Sequence, residues 1–184
     1  MTRFSRILLI LLATARGLAA ADVAVPARVP ELARTELAAL AADPVVVAAV
    51  EAQNARGASL PDVQAADKRW METAGTADFM KACIESPAGQ QLRAWRKSRA
   101  YVAEIILMDR QGANVAITEK TSDYWQGDEK KFSESFKDGG VVFVDKVRFD
   151  DSTQTYSVQV SVPVRGPDGQ PIGVICIGLD IEKL

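Results

Sequence analysis

The chain contains no histidine, and only two of its 184 residues are cysteine, Cys83 and Cys176. Without imidazole, the catalytic triads and the metal sites that rely on it are excluded, leaving carboxylate, lysine, tyrosine or thiol chemistry. Each cysteine reads as a small buried hydrophobe, and a disulfide stays open if the chain is exported and the two meet in space. Long apolar runs are also missing: after residue 21 none approaches the ~20 residues of a membrane-spanning helix. Positive charge is not in excess, with 22 basic against 24 acidic residues. That balance argues against a nucleic-acid surface, which needs clustered cations.

What is present begins with an address. Arg3 and Arg6 precede the apolar run Ile7-Leu8-Leu9-Ile10-Leu11-Leu12-Ala13, and Ala19-Ala20-Ala21 offers small residues for cleavage before Asp22. Residues 1–21 therefore read as a secretory signal peptide, and the mature chain as periplasmic. Arg16, beyond the apolar run, leaves an uncleaved anchor open. Removing residues 1–21 takes away Arg3, Arg6 and Arg16, leaving 19 basic against 24 acidic residues.

Residues 22–100 read as helices with clear punctuation. Pro30 suits a first helical position for residues 31–42. Asp43-Pro44 caps a second helix ended by Gly57, and Ser59 caps a third that Gly75 stops. Thr76 and Ser86-Pro87 open two more. Leu32, Leu37 and Leu40, then Val46, Val47 and Val50, recur near helical spacing, with alanines between that permit close approach. These helices need a partner surface.

Residues 101–184 supply it. Residues 101–108 are β-rich, Asp109-Arg110-Gln111-Gly112 is a hairpin turn, and residues 114–118 return. A short helix over 128–137 follows, ended by Gly139-Gly140, and then strands over 141–149, 155–164 and 172–181. The expected fold class is α+β: a five-stranded antiparallel sheet with the N-terminal helices on one face and the short helix, as a lid, on the other. The last strand alternates apolar residues on both sides and reads as central.

Between the second strand and the short helix lies Thr121-Ser122-Asp123-Tyr124-Trp125-Gln126-Gly127-Asp128-Glu129. Two large rings flanked by acids and an amide suit a cover over a small polar cavity; the alternative is that the rings plug the end of a core. In the fourth strand Tyr156, Val158, Val160, Val162 and Val164 alternate with Thr155, Ser157, Gln159 and Ser161, giving one dry face and one polar face. If the helices cover the valines, the lid helix covers the polar row, and Ser157 and Gln159 become cavity lining rather than solvent-facing. Arg148 can fork onto a carboxylate and Lys131 can add a second positive point, unless both pair with Asp145, Asp150 or Asp151. Asp123 can accept a ligand ammonium, or cap the helix, as Asp128 does more readily. The candidate ligand-binding residues are thus Tyr124, Trp125, Asp123, Lys131, Arg148, Ser157 and Gln159.

The order and spacing of several pieces resemble the extracytoplasmic PAS-like sensor domains called Cache or PDC domains, of the single-unit kind. These pieces are Ile106-Leu107-Met108-Asp109-Arg110-Gln111-Gly112, residues 118–125, Val160-Ser161-Val162-Pro163-Val164, and Gly169-Gln170-Pro171-Ile172-Gly173-Val174-Ile175 leading to Gly178-Leu179-Asp180. The resemblance implies a PAS-like sheet with a small-molecule pocket between one sheet face and the lid, for small carboxylates, amino acids and related metabolites. It also implies a signalling partner. Because the chain ends soon after the last strand, the expectation is that occupancy passes to a separate membrane protein, such as a sensor kinase, a chemoreceptor or a cyclic-nucleotide enzyme. A homodimer through the N-terminal helices is left open.

Enzymatic readings fare worse. Asp123, Asp128, Glu129 and Asp150-Asp151 lack the loop spacing of a calcium hand, no pair of carboxylates picks out an acid and a base, and Gly166-Pro167-Asp168-Gly169 is a turn. No catalytic residue, metal or cofactor is expected. A protein-interaction domain of the periplasm with no ligand pocket is the competing reading.

Overall fold

The computed structural model describes residues 23–150 and 154–184, so the signal-peptide reading of residues 1–21 lies outside the described residues. The helices run α1 (Arg28–Leu32), a π-helical turn (Ala33–Leu37), α2 (Ala38–Ala41), α3 (Pro44–Ala55), α4 (Leu60–Glu72), α5 (Asp78–Ile84) and α6 (Pro87–Lys97). Leu32 and Leu37 are five residues apart, one more than a helical repeat. The π-helical turn absorbs the extra residue, and both leucines are buried on one side.

The helix starts follow local chemistry. The Asp43 carboxylate accepts from the Val45 amide at 2.8 Å, Ser59 and Asp62 form a reciprocal capping box, and Ser86 Oγ accepts from the Gly89 amide at 2.9 Å.

The strands are β1 (Val102–Asp109), β2 (Asn114–Ile117), β3 (Phe143–Val144), β4 (Arg148–Asp150), β5 (Thr155–Arg165) and β6 (Pro171–Asp180), with α7 (Lys130–Phe136) after β2. All pair antiparallel in the order β2-β1-β6-β5-β3, and β4 also lies against β5. The single strand expected over 141–149 is therefore broken in two along one edge, giving five lanes built from six strands. The break falls at residues 145–147, where the Asp145 amide donates to the Gln159 carbonyl at 2.9 Å and its carboxylate accepts from the Lys146 amide at 2.8 Å. In the hairpin turn, Gly112 has φ +83°, a conformation that strains any residue with a Cβ.

The two faces of the sheet carry different cores. Val158, Val160, Val162 and Val164 point to the helices and pack with Leu37, Leu40, Val46, Val50 and Leu92. Tyr156, at the head of that row, lies past the helices, 38% exposed, with its ring 5.2 Å from that of Phe149. On the opposite face Met108, Val174 and Cys176 pack with Phe132 of α7 and with Trp70 and Met80 from α4 and α5. Thus α4 and α5 share that face with α7. The two cysteines are buried in this second core and are not joined.

Candidate functional site

Gly178 sits near the C-terminal end of β6, with Glu104 of β1 as its partner on one side and Gln159 of β5 on the other. Because it has no side chain, the Glu104 chain lies across it; a Cβ there would come within 2.8 Å of Glu104 Cγ. Gln159 Nε2 then donates to Glu104 Oε1 at 3.2 Å over the intervening strand.

Glu104 and Gln159 form the floor of a polar cleft of about 520 Å³. Ser157 lies beside Gln159, α7 contributes Lys131 to one wall, and Asp145 and Arg148 form the other. Lys131 Nζ is 3.1 Å from Glu129 Oε2, and its side chain is only 10% exposed. Arg148 is more open and meets the Asp145 carboxylate at 3.5 Å. Cations and anions thus share the cleft: Lys131 and Arg148 are paired with Glu129 and Asp145, and Lys130, Lys146 and Glu104 also line it.

The structure brings Lys131, Arg148, Ser157 and Gln159 together around this cleft. It does not bring Tyr124 and Trp125 over it, so the expected roof of paired rings is not formed among the described residues. Trp125 forms an antiparallel bridge with Ala113, so the backbone there is extended and consecutive side chains point to opposite sides. One roof cannot hold both rings. The Trp125 indole turns onto the hairpin, where Nε1 donates to the Gln111 carbonyl at 2.7 Å; a Cβ on Gly127 would come within 2.3 Å of that nitrogen.

Tyr124 points the other way, its ring 5.6 Å from that of Trp70. It lines a separate cleft of about 610 Å³ between α3, α4, α5 and α6. Burial pushes its hydroxyl up to about 12. Asp123 lines neither cleft among the described residues. Its backbone carbonyl accepts from Asn114 Nδ2 at 3.1 Å, Thr121 Oγ1 at 2.6 Å and Gln126 Nε2 at 2.8 Å, and its carboxylate accepts from Ser122. It closes its own loop.

Sequence reasoning missed the elements that hold this loop. Asp67 Oδ1 accepts from the amides of Tyr124 and Trp125 at 2.7 and 3.0 Å, and Trp70 Nε1 donates to the Thr121 carbonyl at 2.8 Å. It also missed Glu104, although an acid inside the apolar run from Val102 to Met108 is a signal that was available.

No family model and no curated protein matches the chain. Among solved structures it is similar to the sensor domain of the V. cholerae histidine kinase DctB, with TM-score 0.42 and 16% identity over 52% of this chain and 37% of that one. It is similar to the ligand-binding domain of the Campylobacter jejuni chemoreceptor Tlp3 in complex with 4-methylisoleucine, with TM-score 0.41 and 17% identity over 83% and 60%. It is also similar to the ligand-binding domain of the Pseudomonas aeruginosa PAO1 amino acid chemoreceptor PctC in complex with GABA, with TM-score 0.39 and 16% identity over 83% and 62%. The chain spans less than two thirds of the length of each. Each of the three is a sensor or ligand-binding domain.

Proposed function

We propose that the chain is an exported, non-catalytic sensor module that binds a small carboxylate or amino-acid-like molecule in the polar cleft between α7 and the β4–β5 edge. In this reading residues 1–21 are a signal peptide, residues 22–100 the helical support and residues 101–184 the PAS-like Cache domain. Occupancy is relayed to a separate membrane signalling partner. The observation that carries the reading is the meeting of Lys131, Arg148, Ser157 and Gln159 with Glu104 and Asp145 around one cleft.

A ligand bearing both charges suits such a site. Its carboxylate displaces Asp145 from Arg148 and gains a fork of two donors. Its ammonium takes the Glu104 carboxylate, leaving the Gln159 amide to the ligand's backbone-like polar atoms. The ligand's two charges take over contacts that Asp145 and Gln159 make in the empty cleft, so Arg148 keeps an anionic partner in both states.

Isothermal titration with a panel of α- and ω-amino acids, mono- and dicarboxylates and their amides tests this. Saturable binding of a zwitterion, weakened roughly tenfold or more by Arg148→Ala while neutral amides are unaffected, is the expected result. Silence across the panel, or equal weakening of acids and amides, overturns it. One observation favours the interaction-domain reading: Phe149 and Tyr156 form a ring pair at the sheet edge, 47% and 38% exposed. Silence in the titration would leave that pair as the working surface.

A further inference from the structure

We infer that the cleft between α3, α4, α5 and α6 is a second binding site, separate from the polar one, for a small carboxylate with an apolar tail. Its volume of about 610 Å³ lies within the ~300–1,000 Å³ of sites that enclose small organic molecules. Alanines create it. Ala48 and Ala52 of α3, Ala66 of α4, Ala82 of α5 and Ala88 of α6 all line it, so four helix surfaces come together with side chains too short to fill the space between them. The floor is Trp70, Val115 and Cys83, all buried, beside the ring of Tyr124. An apolar tail laid on that floor would leave water without displacing any hydrogen-bonded group.

The rim decides the ligand's charge. Among the described residues, Arg56 and Arg69 are the only charged ones lining the cleft. Among the described residues neither forms an ion pair, although eight other pairs occur across the molecule. The Arg69 guanidinium is held 4.6 Å from the centre of the Phe79 ring, a contact that leaves its edge donors free. Two cations outside any ion pair over an apolar floor, with no acid among the lining residues, select one carboxylate and a hydrophobic body. A zwitterion would find nothing there for its ammonium.

Titration of the full chain with octanoate and with octanamide tests the assignment. Octanoate is expected to bind saturably, and octanamide at least tenfold more weakly. Arg56→Gln and Arg69→Gln should each weaken octanoate roughly tenfold and leave octanamide unchanged. Ala52→Leu, an exchange between two good helix formers at an exposed position, should fold normally and remove binding of both by filling the cleft. Arg148→Ala, in the polar cleft, should leave octanoate binding intact. The proposal is overturned if octanoate fails to bind, if octanamide matches it, or if Arg148→Ala abolishes binding while Ala52→Leu does not. It is equally overturned if light scattering shows a dimer that Ala52→Leu dissociates, since a second copy would then be the occupant.

Discussion

Gln159 on β5 and Glu104 on β1 share a hydrogen bond of 3.2 Å although the whole of β6 runs between them. The bond exists because position 178 has no side chain, and it links the three strands that make the floor of the polar cleft.

Gly178→Ala should therefore separate function from stability. The added Cβ meets the flexible Glu104 chain, which can swing aside, and alanine in a strand recovers some of glycine's entropic cost. A change in unfolding free energy within about 1 kcal/mol is expected, together with loss of zwitterion binding. A fall of several kcal/mol in urea unfolding would show that the Glu104 chain cannot move.

The same substitution five residues earlier should behave in the opposite way. At Gly173 the new Cβ would lie 2.2 Å from the Met108 carbonyl oxygen and 2.8 Å from Val50 Cγ1, so the obstruction is backbone and packed core. Gly173→Ala should cost about 1–3 kcal/mol or more through overpacking. A urea midpoint equal to that of the unmodified chain would contradict this contact.

Asp67→Ala should loosen the Tyr124 loop. Two backbone amides lose their acceptor, and water can replace it only in part, so a cost of ~1–2 kcal/mol is expected. Hydrogen exchange at Tyr124 and Trp125 should rise well before global unfolding, whereas unchanged exchange would mean that the loop is held elsewhere.

Trp125→Ala should act on stability and leave the polar cleft alone. The half-buried indole loses its bond to Gln111 and its packing on the hairpin, at about 2–3 kcal/mol, below the ~3–5 of a fully buried ring. Abolished zwitterion binding in a folded variant would return the indole to the site.

Alkaline pH should destabilise the fold in a defined window. Burial raises the thiols of Cys83 and Cys176 from an ordinary 9.0 to about 11 and about 12, and the Tyr124 hydroxyl from 10.0 to about 12. The unfolded chain releases these protons first, so the stabilisation is complete below pH 9 and is lost as pH rises toward 11–12, at ~1.4 kcal/mol per pH unit per group. A thiol reagent at pH 8 should label neither cysteine in the native state and both in urea; rapid native labelling would contradict the burial.

Much of the fold was readable because the signals were local. Asp43, Ser59 and Ser86 announce helix starts through one side-chain oxygen each, and the alternating valines of β5 announce which face is dry. The site was readable only in part. Lys131, Arg148, Ser157 and Gln159 follow from side-chain alternation and element order, and they do line one cleft. Tyr124 and Trp125 looked like a pair because they are adjacent in sequence, but an extended backbone sends neighbours apart, and only the non-local bridge to Ala113 shows that the backbone is extended there. Glu104 and the Asp67 anchor depend on contacts across strands and between α4 and a distant loop, which no local pattern carries.

The break in the outer strand has a further consequence for how the protein meets its own copies. One margin of the sheet is β2, four residues long, and the other is split into pieces of two and three residues. A continuous margin of nine residues would have offered a ladder of open amides and carbonyls for a neighbour to extend. With both margins so short, neither gives a second copy an extended ladder to join.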